Sequence, residues 1–148
     1  MDSFRLNKST MELEKVKIVR KNRFMNNTVI TATPIVIMQD NNTCYSLRDN
    51  NDLKYFFNRL KENILKKYNA YYHTDLTINN DLFSDFELSK EVCLNLNHGL
   101  DEFKMIGSRW KFKFNDEIMH NHKLLKFIYD TGLGEKNSLG FGFLNFIK

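Results

Sequence analysis

An α+β domain, an antiparallel sheet with its helices on one face, is the fold class this sequence predicts. Three observations predict it. One clean helical stripe lies at residues 52–71, one clean strand alternation lies at 106–114, and around them the segments run strand, helix, strand, strand, helix, strand. From Thr33 onward that order is the ferredoxin-like βαββαβ arrangement, also called RRM-like, in which the sheet face away from the helices stays open. The 148 residues suit one domain better than two.

The elements follow in chain order. Residues 11–21, MELEKVKIVRK, set Leu13, Val16, Ile18 and Val19 among charges, which predicts an exposed or edge strand. The first 30 or so residues do not fit into the βαββαβ unit. Residues 28–38, TVITATPIVIM, are β-branched and extended, and Pro34 must mark an edge, a bulge or a break because it has no N–H for a ladder. Asn41 and Asn42 predict a turn, followed by a short strand at 43–47. Over 52–71, Leu53, Phe56, Phe57, Leu60, Ile64 and Tyr68 form one helical stripe, with Lys54, Arg59, Lys61, Lys66 and Lys67 off it. Residues 73–89 are irregular and polar and read as an insertion loop, with a short helix near 81–85.

Val92, Leu94 and Leu96 then alternate with polar residues, and His98 and Gly99 close that strand. In the next strand Ile106, Trp110, Phe112 and Phe114 point one way, and Gly107, Arg109, Lys111 and Lys113 point the other. One face is core and the other is basic. A second helix begins near Asn121, carries Leu124, Leu125, Phe127, Ile128 and Tyr129, and ends at Thr131 and Gly132. Residues 141–148 are apolar on both faces, as expected of a central strand.

Composition narrows the function classes. Hydrophobic residues at 42% and charged residues at 27% are ordinary for a soluble globular chain, which argues against disorder. The 13 Phe are better explained by a Phe-filled core than by base-stacking platforms. A net charge of +4 permits an anionic partner without demanding one. Cys44 and Cys93 are isolated, so no zinc site is expected and a reduced, cytoplasmic setting is the reading. Apolar runs are too short to predict a membrane partner.

One segment stands apart. Between the second helix and the last strand lies Gly132-Leu133-Gly134-Glu135-Lys136-Asn137-Ser138-Leu139-Gly140-Phe141-Gly142, which holds four of the chain's six glycines. Gly132 can end the helix in a left-handed conformation and Gly142 can relieve packing in the strand. The glycines around Lys136, Asn137 and Ser138 are harder to explain by capping; stripping side chains there would let backbone amides face a phosphate. A dinucleotide fingerprint would need glycine where Asn137 stands, and no phosphate-loop Gly-Lys-Ser/Thr occurs.

The spacing GxGxxxxxGxG, after a helix and opening a last strand, resembles the carboxy-terminal signature of the CRISPR-associated RAMP superfamily. Its wording is especially similar to the repeat-cleaving endoribonuclease branch, Cas family six, and Thr33-Pro34-Ile35-Val36 resembles the Ser/Thr-Pro-Ile-Val lead-in to the second domain of those enzymes. The resemblance implies two tandem ferredoxin-like domains with RNA lying against both. It covers essentially this whole chain but only the second of those domains. Residues 1–30 are then expected to be the closing strand of a preceding, largely absent domain, and 31–148 the carboxy-terminal RNA-binding domain with its glycine-rich loop at 132–142.

The same resemblance implies cleavage without metal or other cofactor. A ribose 2′-hydroxyl attacks the neighbouring phosphate, commonly with a His as general base, usually from the first domain. None of His73, His98, His120 and His122 matches that position, so no catalytic residue is assigned, and a truncated, split or partial enzyme is expected. The alternative is a catalytically inactive RNA-binding subunit of a CRISPR complex; a weaker one is a domain for protein assembly alone. Implied partners are CRISPR repeat RNA, a separate amino-terminal domain or other CRISPR-associated subunits, and a second copy of the chain as a homodimer.

For RNA contact the first choice is Lys136, Asn137 and Ser138 in the frame of Gly132, Gly134, Gly140 and Gly142. Second come Arg109, Lys111 and Lys113, which share a strand face and could follow a phosphate chain. A cluster of Lys15, Lys17, Arg20, Lys21 and Arg23 ranks last because Glu12 and Glu14 adjoin it.

Overall fold

The computed structural model describes residues 3–6, 8–17 and 27–147. A small hairpin pairs β1 (Ser3–Leu6) with β2 (Ser9–Glu12) in a sheet of its own. The main sheet comprises β3 (Thr28–Thr31), β4 (Phe83–His98), β5 (Asp101–Phe114) and β6 (Leu144–Phe146), in the order β4-β5-β3-β6 with every pair antiparallel. Two major helices, α2 (Leu53–Tyr72) and α4 (His122–Thr131), follow β3 and β5, and two short ones, α1 (Leu47–Asn50) and α3 (Asp116–His120), precede them. The fold is therefore ferredoxin-like α+β, with its first and third unit strands in the middle.

Packing follows the sequence periodicities. Phe56, Leu60, Ile64 and Tyr68 of α2 and Leu124, Leu125 and Ile128 of α4 join Val29, Trp110, Phe112, Phe114 and Leu144 in one core on a single face of the sheet. Phe112 stacks on Phe83 with ring centroids 4.0 Å apart, and Phe56 stacks on Trp110 at 5.2 Å. Helix starts are capped by side chains: Asp52 accepts from the Tyr55 N–H at 3.0 Å and Asn121 from the Leu124 N–H at 3.1 Å. Gly132 ends α4 by donating its N–H to the Ile128 carbonyl.

Several expectations need correction. Residues 83–89 are not part of an insertion loop with a helix; they open β4, which has 16 residues. Two register shifts, between Phe83 and Asp85 and between Leu88 and Lys90, set its core-facing Phe83, Phe86 and Leu88 at spacings of three and two, which hides the alternation. Residues 43–47 form one isolated bridge, Met38 to Cys44, before α1 begins, so no strand stands there. The last segment holds only three strand residues and pairs with β3 alone, which makes β6 an edge strand. Within 11–21, β2 ends at Glu12, residues 13–17 have no regular structure, and 18–21 lie outside the described residues. The sheet's first strand already begins at Thr28, inside the stretch assigned to a preceding domain.

Pro34 is the break. β3 stops at Thr31, and pairing with β5 resumes at Ile35, whose N–H and carbonyl both bond Ser108, at 2.8 and 2.9 Å. Gly107 makes room for this crossing: a Cβ there would lie 2.8 Å from that of Pro34.

Core position decides the expected cost of truncation. Phe112→Ala should destabilise the chain by about 3–5 kcal/mol, since Phe112 is fully buried. Phe86→Ala, at a residue 44% exposed, should cost about 1 kcal/mol. Urea unfolding followed by circular dichroism compares the two.

Candidate nucleic-acid interface

The glycine-rich segment closes the outer edge of the sheet beside the Pro34 crossing. Glu135 donates its N–H to the Val36 carbonyl and Gly142 donates its own to the Pro34 carbonyl, each at 2.8 Å. The Glu135 carboxylate reaches back to accept the Met38 N–H. Leu133 N–H bonds the Gly142 carbonyl at 2.8 Å, which shuts the loop at its base.

Glycine is required at this base. Gly132, Gly134 and Gly142 have φ of +82°, +71° and +80° and are buried. A Cβ on Gly134 would sit 2.5 Å from the Val36 carbonyl oxygen, and one on Gly142 would overlap the Leu133 carbonyl oxygen. Asn137 spans the interior, its Nδ2 donating to the Leu133 and Phe141 carbonyls at 3.1 and 2.8 Å.

Beneath the loop lies a residue that the sequence reading left off the helical stripe. Lys67 of α2 donates from Nζ to the Gly132 carbonyl at 3.1 Å, the Gly134 carbonyl at 3.1 Å and Asn137 Oδ1 at 2.8 Å. Burial pushes its pKa down to about 8, with Glu135 opposing the shift. Nothing in the sequence distinguishes Lys67 from Lys66; only the placement of α2 under the loop does.

The idea that this loop turns its amides outward is therefore corrected in large part. The N–H groups of Gly132, Leu133, Glu135, Leu139, Gly140 and Gly142 all bond carbonyls within the fold. Those of Lys136, Asn137 and Ser138 take no acceptor among the described residues. They belong to the loop's tip, a single 3-10 turn at Asn137–Leu139 between left-handed Lys136 and Gly140. Lys136, Ser138, Leu139 and Gly140 are exposed there, whereas Asn137 is half-buried.

The tip borders the open face of the sheet. Leu139, Gly140 and Phe141 meet Thr33, Pro34, Leu94 and Leu96 around a concavity of about 420 Å³. Phe141 packs there with Val36 and Met105, a small cluster separate from the main core.

The basic strand also lies on this face, but not as a pure cation stripe. Lys111 and Lys113 are exposed, and their register partners on β4 are Glu87 and Asp85, so each cation stands beside a carboxylate. Arg109 is opposite Lys90, a cation that the sequence reading did not single out. Arg109 is half-buried, and its Nε is a buried donor with no partner. Lys15 and Lys17 are exposed, while Arg20, Lys21 and Arg23 lie outside the described residues.

His73, His120 and His122 are exposed at helix ends. Among the described residues no group of three or more His, Cys, Asp or Glu could hold a metal ion. No helix among them is long and apolar enough to cross a membrane.

The family described as "CRISPR associated protein Cas6, C-terminal" matches residues 12–146. The chain belongs to this family. It is similar to the CRISPR-associated endoribonuclease Cas6 2 of Methanocaldococcus jannaschii, with 36% identity over 146 residues that cover 93% of this chain and 58% of that one. A solved CRISPR associated protein Cas6 superposes with a TM-score of 0.56 at 27% identity, over 90% of this chain and 52% of that chain. A Cas6-related protein from Pyrococcus furiosus gives 0.65 at 24% identity, over 99% and 58%, and shows the shared fold. This Cas6-family chain thus spans about half the length of the relatives it matches.

Two outcomes check the loop of this Cas6-family chain. Gly142→Ala should disrupt the loop base and lower the unfolding midpoint well beyond Gly140→Ala, which meets open space and carries only the left-handed cost of about 1–2 kcal/mol. Thermal melts of both variants read the difference. The second concerns pH: the unfolded chain keeps the Lys67 proton up to 10.5, while the folded chain releases it near 8. Between those values the unfolded state binds more protons, so this group's contribution to stability is complete above 10.5 and is lost as pH falls through 8. The stability difference between the parent and Lys67→Met, measured by urea titration, should rise from pH 8 to pH 10.

Proposed function

We propose that the chain is the RNA-gripping part of a CRISPR-associated endoribonuclease that binds CRISPR repeat RNA and processes it into guide RNA. One observation carries the reading. In a Cas6-family chain, the loop tip leaves three N–H groups, the Lys136 ammonium and the Ser138 hydroxyl without a role in holding the fold, beside an open sheet face. Such a set of donors suits phosphate oxygens. Lys136, Ser138 and Gly140 meet RNA directly, and Gly132, Gly134, Gly142 and Asn137 act by shaping the frame. Arg109, a half-buried cation opposite Lys90 on the same face, extends the contact, and Lys111 and Lys113 add to it more weakly because of Glu87 and Asp85.

In this reading cleavage is attack by a ribose 2′-hydroxyl on the adjacent phosphate. The chain's residues hold that phosphate and its neighbours in line, and a general base comes from a preceding ferredoxin-like domain. The reaction proceeds in the cytoplasm without a metal ion. A second reading, a non-cleaving RNA-binding subunit, is favoured by the placement of His73, His120 and His122 at helix ends instead of at the tip.

Binding of repeat RNA by this chain should weaken between 50 and 200 mM salt with a shallow slope, because few cations are free to neutralise phosphates, and Lys136→Ala should lower that slope by about one. Filter binding across a salt series measures both; a slope untouched by Lys136→Ala and Arg109→Ala together would sink the proposed interface. With the preceding domain supplied, repeat cleavage should persist in EDTA. Loss of cleavage on chelation would exclude the metal-independent route, and RNA retention with no turnover would establish the second reading.

A further inference from the structure

We infer that Lys67 is a positioning residue for RNA: clasping the loop from behind, it sets the tip in the shape that grips the polynucleotide. The inference rests on the RNA reading above and names a residue on the opposite side of the sheet edge from the proposed contact.

The geometry is stoichiometric. An ammonium has three N–H donors and no acceptor. Lys67 has three oxygens within 3.1 Å, the carbonyls of Gly132 and Gly134 and Oδ1 of Asn137, so each donor is used once. The two carbonyls come from alternate glycines with positive φ, and Asn137 is the first residue of the tip's turn. The clasp therefore spans the loop from the end of α4 to the tip.

Asn137 is tied on both sides. Its Oδ1 faces Lys67, while its Nδ2 holds the Leu133 and Phe141 carbonyls. Removing the ammonium leaves the Gly134 carbonyl and Asn137 Oδ1 without a donor in a half-buried place and the Gly132 carbonyl with only the Thr131 hydroxyl at 3.4 Å, and the tip loses its anchor to α2. The charged group that acts on Lys67 is Glu135, whose carboxylate accepts from the Met38 N–H and has no donor with which to replace the clasp. With every donor consumed inside, Lys67 has none left for RNA.

A double-mutant cycle tests this. Lys67→Met should bind repeat RNA about tenfold more weakly than the parent, equivalent to roughly 1.4 kcal/mol. In a Lys136→Ala, Ser138→Ala background the same change should have no further effect on affinity, because the contacts it positions are gone. Hydrogen exchange at the Glu135 and Gly142 amides should quicken in Lys67→Met in both backgrounds. Lys67→Arg, which keeps the charge and the donors, should recover most of the affinity.

An equal loss of affinity in both backgrounds would overturn the inference, since Lys67 would then act on RNA directly or on the whole fold. Parent-like affinity despite faster exchange would also overturn it, with the RNA reading left standing. A parent that does not bind repeat RNA removes both together. Should Lys67→Met not fold, Asn137→Ala, which removes the side-chain acceptor of the clasp, goes through the same cycle under the same criteria.

Discussion

A buried ammonium cannot be left without oxygen, and that constraint organises the functional end of this molecule. Lys67 lies half-buried on α2, where the cost of removing charge from water is high enough to push its pKa down to about 8. Loop arrangements that deny it acceptors are therefore disfavoured, and the one adopted supplies three. The effect is selection among loop shapes more than added stability, as expected of buried polar interactions whose desolvation offsets much of their gain. Around this point the rest of the edge falls into place: Glu135 against Val36 and Met38, Gly142 against Pro34, and the tip beside the open face of the sheet.

The glycines take their meaning from the same constraint. A glycine-rich loop near a phosphate-binding function suggests exposed amides, yet here most amides are occupied inside. The left-handed conformations at Gly132 and Gly134 accompany carbonyls that both meet Lys67, and Gly134 lies too close to Val36 for a Cβ. Gly140 is the exception, with open space where its side chain would be. The motif thus combines a rigid base with a small exposed tip. Under the proposed function a rigid base matters because a loop already in its binding shape would lose less entropy on meeting RNA.

What was legible in the sequence was whatever local periodicity or capping dictates. The helix at Leu53–Tyr72 follows from its stripe, the alternation of Trp110, Phe112 and Phe114 marks β5, and Gly132 marks the end of α4. The start of β4 was not legible, because two bulges destroy the period that identifies a strand. The edge position of the last strand was hidden too: apolar residues on both faces arise from Leu144 packing in the main core and Phe141 in the small cluster opposite, not from central placement. At the site, the loop was legible by its glycine spacing. Its clasp was not, since a lysine's partner 65 residues away leaves no local pattern.

The distribution of charge explains why shape should dominate this interface. Net charge is only +4, and Lys111 and Lys113 face Glu87 and Asp85 across the ladder, so the open face has no dense cation track. Counter-ion release scales with the number of phosphates neutralised, and few cations are free to neutralise them here. The far part of the face is apolar instead, with Leu94, Leu96, Phe141 and Met105 around the concavity beside the tip. Under the proposed function a polynucleotide held there would gain affinity from a few well-placed donors and from contact area, both of which require the tip to stand in one position. In the proposed arrangement Lys67, with its three hydrogen bonds to the back of the loop, is what fixes that position.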